Sequence, residues 1–293
     1  MPELPEVETV CRGLAPAVVG GRIERIEIRR ANLRFPFPEQ FEARMQAQTV
    51  HSLSRRAKYL SMGLSSGEDL VMHLGMTGRF TIIRDGVPDT PGDYVYATGA
   101  DPKHDHVVLH LRDGARIIYN DPRRFGFMVM MAHEARDTHA LFRNLGTEPL
   151  GNGWSADYIA TRARGKTVNL KAFLMDQRVV AGLGNIYVSE ALHRAGLSPN
   201  RRAASLADRG GRPTERAHRL VPAVREVLHQ AIAAGGSTLR DYRHADGSSG
   251  AFQDAFAVYD RLDEPCARSG CAGTVRRVVH SGRATYYCGA CQR

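Results

Sequence analysis

Four cysteines crowd the C-terminal end of the chain and constrain its fold more than any other feature. Cys266, Cys271, Cys288 and Cys291 follow the pattern C-x4-C-x16-C-x2-C within the last 28 of 293 residues. So short a stretch cannot bury a core of its own. Two close pairs, each on a turn, bring four thiolates within tetrahedral reach of one Zn2+ ion. The metal then supplies the folding free energy. Four unrelated thiols are the alternative, which the paired spacing disfavours. In a chain without a secretory pattern such clustering reads as metal rather than disulfide. From Cys266 to Arg293 there are five arginines and no acidic residue, a charge pattern suited to phosphate. The remaining cysteine, Cys11, falls in the first helix and reads as a buried core thiol.

The whole chain shares that basic character. Lys+Arg number 40 against 31 Asp+Glu, giving a net charge of +9. A nucleic-acid binder has this electrostatic footprint, but a basic protein with no such partner has it too. Lys58, Lys103, Lys166 and Lys171 are the only lysines. Arginine suits bidentate phosphate contacts, although genome composition produces the same bias. No stretch reaches the roughly 18 apolar residues of a membrane span. The first residues lack the basic-then-apolar pattern of a signal peptide. A soluble cytoplasmic protein without a membrane partner is expected.

The first 134 residues read mainly as strands. A short helix leads, with Val7, Val10 and Leu14 on one face. Alternating segments follow at Arg22–Arg30, Tyr59–Leu64, Leu70–Leu74, Arg79–Arg84, His106–Leu111 and Ala115–Tyr119, with another strand entry in 120–132. Asp113-Gly114 is a hairpin-turn dipeptide. Many short strands with turns between them indicate a β-sandwich or barrel. From about 137 to 235 the period is helical, with candidates at Asp157–Arg164, Leu170–Asp176, Asn185–Ala195 and His218–Ala234. Residues 201–216 are polar and loop-like, and 235–251 are rich in glycine. These changes divide the chain into 1–134, 135–257 and 258–293.

Two features near the start carry possible chemistry. Pro2 follows the initiator Met, whose removal leaves a free secondary amine. An α-amino group has a pKa of about 7.7–8.0 against about 10.4 for lysine, so far more of it is neutral and nucleophilic near pH 7. Pro2, Glu3 and Glu6 are equally ordinary at a helix start. Lys58 lies just inside a β-like segment behind Arg55-Arg56, where a solvated basic edge is the plain alternative.

Together the pieces resemble the formamidopyrimidine-DNA glycosylase family. Met1-Pro2-Glu3-Leu4-Pro5-Glu6-Val7-Glu8-Thr9 looks like the family N-terminus, and Arg55-Arg56-Ala57-Lys58-Tyr59-Leu60 like its lysine motif. His73-Leu74-Gly75-Met76-Thr77-Gly78 and Lys103-His104-Asp105-His106-Val107 are similar to its DNA-facing loops. Asp121-Pro122-Arg123-Arg124-Phe125-Gly126 resembles its wedge loop. Gly182-Leu183-Gly184-Asn185-Ile186-Tyr187 with Ser189-Glu190 resembles its helix–two-turn–helix signature, and Arg283-Ala284-Thr285 its finger arginine.

The resemblance implies a two-lobed α+β fold. Its parts would be an N-terminal β-sandwich with flanking helices, a helix–two-turn–helix domain, and a C-terminal β-hairpin finger holding one structural Zn2+. It implies a bacterial repair enzyme, read as a monomer and associated with the nucleoid through DNA, acting on duplexes that contain oxidised purines or abasic sites. Pro2 would attack the sugar, with Glu3 as proton donor. Lys58 would serve the first elimination and Arg283 the second. Glu6 and Glu190 would order the nucleophile and nearby water. Met76 and Phe125 would wedge the stack, Arg123 would bond the orphaned base, and His104 and Asn185 would hold phosphates. Asn185 also stands where it can cap a helix. The segment 242–252 would close over the flipped base.

This sequence departs from the family pattern in three places. The first cysteine pair is x4 where x2 is usual, Arg164-Gly165-Lys166 gives no clear phosphate contact, and Ser248-Ser249-Gly250-Ala251 is smaller than usual in the capping segment. Two rival readings remain. An endonuclease VIII-like glycosylase for oxidised pyrimidines is disfavoured by Leu4, Arg-Arg-Ala-Lys and Arg-Arg-Phe. A non-catalytic zinc-finger DNA-binding protein has no need of Pro2, Glu3 and Lys58.

Overall fold

The apolar spacing at the start of the chain becomes the buried face of α1 (Leu4–Val18) in a computed structural model that describes residues 2–91, 101–237, 252 and 255–293. Leu4, Val7, Val10, Cys11 and Leu14 lie on that face. Burial pushes the Cys11 thiol up to about 11, as a core thiol requires. The chain divides into two compact units, one of 1–143 with 234–251 and one of 144–233 with 252–293.

The first unit continues through β1 (Ile23–Ile28), α2 (Phe41–Met45), β2 (Val50–Arg56), β3 (Tyr59–Leu64), β4 (Glu68–His73), β5 (Arg79–Arg84), β6 (Val87–Asp89), β7 (Asp105–Leu111), β8 (Arg116–Asn120) and β9 (Phe127–Ala132). Among the described residues these strands form a five-stranded sheet, β1-β7-β8-β5-β6, and a four-stranded sheet, β2-β3-β4-β9. Both are antiparallel throughout. Ile26, Leu109 and Ile117 of one sheet and Leu60, Met62 and Leu70 of the other enter one core with the buried face of α1. That is the expected sandwich. The β7–β8 turn contains Gly114 at φ +87, in keeping with the Asp-Gly signal. The sequence reading missed α2, β2 and β6. In β2, His51-Ser52-Leu53-Ser54 shows little apolar alternation because this edge strand buries only Val50 fully.

The second unit holds α3 (Ala156–Ala163), α4 (Leu170–Met175), α5 (Asn185–Ala195) and α6 (Glu215–Ala233), then the hairpin β10 (Val275–His280) and β11 (Arg283–Cys288). Ser155 caps α3 by accepting from Tyr158 N, and Asn169 caps α4 by accepting from Ala172 N. Gly196, at φ +67, ends α5 in the left-handed conformation. Lys171, only 2% exposed, donates from Nζ to Asn185 O and Ser189 Oγ, both at 2.7 Å, and so pins α4 to α5. The helical reading from 137 is corrected at its start. Residues His133–Thr138 form a 3-10 turn, and α-helix begins only at Ala156. The glycine-rich 242–252 segment lies outside the described residues except for Phe252. Among the described residues no helix is long and apolar enough to cross a membrane.

Candidate active site and metal centre

Pro2 and Glu3 are buried immediately ahead of α1. Glu3 is the N-cap, and its N–H donates to Glu6 Oε2 at 2.8 Å. The other Glu6 oxygen accepts from Ser237 N at 2.8 Å and Ser237 Oγ at 3.1 Å. A helix N-terminus favours carboxylates, and these donors satisfy one that is only 2% exposed. Gly236 has φ +92, and a Cβ there would meet Glu6 Cγ at 3.1 Å, so a side chain would crowd this bridge.

Lys58 occupies the two-residue turn between β2 and β3, rather than a position just inside the β-like segment. Arg56 pairs with Tyr59, and Ala57 takes the left-handed conformation at φ +53. Although Lys58 sits on a turn, it is only 8% exposed, so the solvated-edge alternative does not hold. An ion pair ties this turn to α1. Arg55 Nε donates to Glu8 Oε2 at 2.7 Å, and Arg55 Nη1 donates to Ala57 O at 3.0 Å. Burial alone would raise the Glu8 pKa, but the Arg55 and Arg12 guanidiniums hold its carboxyl below the usual range. Nearby His73 is pushed down to about 4, by burial first and then by the Lys58 and Arg34 charges, so its ring is neutral. The ring stacks on Phe127 at 5.3 Å, and Nδ1 accepts from Gly75 N at 3.0 Å.

The two candidate wedge loops meet backbone to backbone. Gly75 has φ +64, and a Cβ there would lie 2.3 Å from Gly126 N. A Cβ on Gly126 would lie 1.9 Å from the Tyr119 hydroxyl, so both glycines are required by close approach. Met76 is half-buried and Phe125 is 43% exposed, with the Arg123 guanidinium 4.8 Å from the Phe125 ring centre. Asp121, fully buried, joins these loops. Its carboxylate accepts from Thr77 Oγ1, from Gly126 N at 2.9 Å and from Tyr119 OH at 3.4 Å. Thr77 Oγ1 accepts in turn from Arg123 N at 3.2 Å. Asp121 N donates to His104 O at 3.1 Å, which draws partly exposed His104 into the same cluster. The sequence reading passed over Asp121 and Thr77 as site residues. Their only local signal was membership of the two quoted loops.

In the second unit Asn185 does not cap α5. Gly184 is the N-cap, and Asn185 Nδ2 instead donates to Ala284 O at 3.0 Å and Tyr259 OH at 3.3 Å. Asn185 Oδ1 is buried without a hydrogen-bond partner among the described residues. Glu190 accepts from Ala257 N, Val258 N and Tyr259 N at 2.8, 3.0 and 2.8 Å. Burial raises its pKa, against the opposing pull of those three donors. Arg283 pairs with His280 across the Ser281-Gly282 turn, and is exposed at the hairpin tip.

The four C-terminal cysteines gather at the base of that hairpin, with their sulfurs all within 4.8 Å of one another. Cys266–Cys291 and Cys271–Cys288 are each separated by 3.7 Å. Zinc–sulfur bonds of about 2.3 Å give a tetrahedral edge of about 3.8 Å, so the thiol set fits one Zn2+. Burial, with the neighbouring thiols Cys266 and Cys288, pushes Cys291 up to about 12. Thiols packed this closely ionise together only around a cation.

Known proteins are similar to this chain in sequence and fold. The formamidopyrimidine-DNA glycosylase N-terminal domain model matches residues 1–128, and the formamidopyrimidine-DNA glycosylase H2TH domain model matches 145–243. A formamidopyrimidine-DNA glycosylase of Beijerinckia indica is 56% identical over 293 residues, covering 100% of both chains. Another, from Methylobacterium radiotolerans, is 57% identical over 295 residues, covering 100% of this chain and 99% of its own. Among solved structures, the Lactococcus lactis Fpg in complex with DNA containing an abasic site has a TM-score of 0.82 at 31% identity, covering 99% of each chain. The Thermus thermophilus MutM (Fpg) protein has a TM-score of 0.79 at 38% identity, covering 99% of this chain and 98% of that one.

Proposed function

The chain belongs to the formamidopyrimidine-DNA glycosylase family, and from that premise we propose that it removes oxidised purines from duplex DNA and then cleaves the abasic site. It is a base excision repair glycosylase with lyase activity, working as a monomer on bacterial cytoplasmic DNA. Residues 1–134 form the catalytic domain, 135–257 the helix–two-turn–helix domain with the base-capping segment, and 258–293 the finger.

Once Met1 is trimmed, the Pro2 amine attacks C1′ of the flipped nucleotide, and the damaged base departs with a proton supplied through Glu3. The bond formed is N–C1′ and the bond broken is the glycosidic C1′–N. The sugar ring then opens, breaking C1′–O4′ as O4′ takes a proton shuttled through Glu3, and the iminium so formed acidifies C2′, whose proton is lost as the 3′ phosphate leaves. Lys58 serves as proton donor in that step and contacts phosphate, and Arg283 assists departure of the 5′ phosphate. Glu6 and Glu190 act as positioning residues, Glu6 through the Glu3 backbone and Glu190 through residues 257–259. Met76 and Phe125 fill the space left by the flipped nucleotide, Arg123 bonds the orphaned base, and His104 and Asn185 hold phosphates. Cys266, Cys271, Cys288 and Cys291 hold one Zn2+, which supplies folding free energy to the finger and takes no part in bond breaking.

The observation that carries this reading is the bracing of the N-terminal turn. Pro2 and Glu3 are buried immediately ahead of α1, whose Glu8 is tied by Arg55 to the Lys58 turn. The test is a labelled duplex with one 8-oxoguanine opposite cytosine. A one-nucleotide gap with phosphate on both ends is expected. Cleavage confined to an oxidised-pyrimidine duplex would assign the chain to the endonuclease VIII-like group. Binding without cleavage of either would support the non-catalytic reading.

A further inference from the structure

The first cysteine knuckle is the part of the finger that departs from the family spacing, and it packs against α5. Cys266 Sγ lies 3.3 Å from Nε2 of His193, a residue of the last α5 turn that is only 5% exposed. The same sulfur accepts from Arg268 N at 3.5 Å. Arg268 lies inside the long x4 spacing, and its Nη2 donates to His193 O and to Arg194 O, the latter at 3.1 Å. His193 O also accepts from the C-cap N–H of Gly196 at 3.0 Å, so Arg268 adds a second donor to the carbonyls at the C-terminal end of α5. The final residues add to the contact. Gln292 Nε2 donates to Leu197 O at 2.9 Å, and Arg293 N donates to Gly196 O at 3.2 Å. At the other end of α5, Asn185 Nδ2 reaches Ala284 O of β11. The finger therefore holds both ends of one helix.

A metal-bound cysteine sulfur carries no proton, so in a His–thiolate contact the imidazole must be the donor. A Zn2+ ion with four thiolates carries a net charge of −2, which N–H donors to sulfur spread and stabilise. We propose that His193 is an outer partner of the cysteine–metal site, donating Nε2–H to the Cys266 thiolate, and that with Arg268 it couples metal retention to the seating of α5. This rests on the reading that the four cysteines bind a metal. His193 touches no reacting atom and acts through Cys266. Its loss would leave a thiolate short of a donor and more easily protonated or oxidised, so the metal would leave faster. Loss of the metal would in turn free the last turn of α5.

The experiment uses the full-length holoprotein. Metal content of the wild type is measured first, and a metal-free protein would refute the cysteine-site reading itself. Zinc release to a chromogenic chelator is then followed, well below the thermal transition, for wild type, His193→Leu, His193→Gln and Leu192→Ala. Leu192 is a fully buried neighbour on α5 and serves as a packing control. His193→Leu is expected to release zinc about tenfold faster or more, the scale known for outer partners of metal ligands. His193→Gln, which keeps an N–H donor, should recover most of that loss, and Leu192→Ala should stay within about twofold of wild type. Equal release from His193→Leu and wild type, or from His193→Leu and Leu192→Ala, would overturn the proposal. Should His193→Leu fail to fold, the imidazole tautomer in the wild type decides, read from long-range proton–nitrogen NMR spectra. Protonation on Nε2 supports the proposal, and protonation on Nδ1 alone refutes it.

Discussion

Replacing Asp121 by alanine tests whether one carboxylate organises the two candidate wedge loops. Asp121 is fully buried and accepts from Thr77 Oγ1, Gly126 N and Tyr119 OH. Truncation leaves these donors facing an apolar methyl. A stranded buried donor costs about 1–3 kcal/mol. The Gly126 N–H cannot turn away, because the close approach to Gly75 fixes its backbone. The Thr77 and Tyr119 hydroxyls can rotate, and the Tyr119 contact is long at 3.4 Å, so each contributes less. The expected loss is about 3 kcal/mol in total, a large share of the roughly 5–15 kcal/mol that stabilises a folded chain. For a unit of this size that corresponds to a fall in Tm of about 6–12 °C. Asp121→Asn keeps one acceptor but presents an NH2 group to neighbouring donors, and should fall between the two. Calorimetry gives the stability, and 2-aminopurine fluorescence opposite an abasic site reports the proposed insertion of Met76, Arg123 and Phe125. Insertion should weaken in step with stability. A variant within about 0.5 kcal/mol of wild type, with normal insertion, would show that Asp121 does not hold these loops.

Glu8 should give the first unit an acid-sensitive contribution to stability. Its folded pKa lies below the ordinary value near 4.5, so its stabilisation is complete above that value and is lost as pH falls through the folded pKa. Glu8→Gln should therefore flatten the Tm-against-pH curve on the acid side, and parallel curves for the variant and wild type would argue against the ion pair with Arg55. Gly75→Ala should lower Tm more than an ordinary glycine substitution, since the added Cβ meets Gly126 N at 2.3 Å and φ is +64. An unchanged Tm would mean that the two loop backbones do not touch.

The local parts of this molecule were legible in sequence, and its long-range pairings were not. The cysteine spacing, the apolar face of α1 and the Asp113-Gly114 turn each act within a few residues, so each leaves a pattern. The strand β2 left little pattern because its edge position demands few apolar side chains. Lys58 read as a strand residue because nothing nearby shows that Ala57 takes a left-handed conformation without glycine. Glu6 and Ser237 are separated by 231 residues, Thr77 and Asp121 by 44, and His193 and Cys266 by 73. In one sequence such pairs have no period and no motif, and only the packed chain brings them together. The candidate site residues themselves came from motif resemblance, whereas their supports came from the fold.

The central claim is that the amine of Pro2 forms the covalent bond to the sugar. Borohydride reduction during reaction with an abasic-site duplex, followed by proteolysis and mass spectrometry, tests it most directly. The account predicts one adduct, on the nitrogen of Pro2 in a chain lacking Met1, and no adduct from a protein that retains Met1. An adduct on Lys58, or none with a protein that still cleaves the duplex, would contradict it.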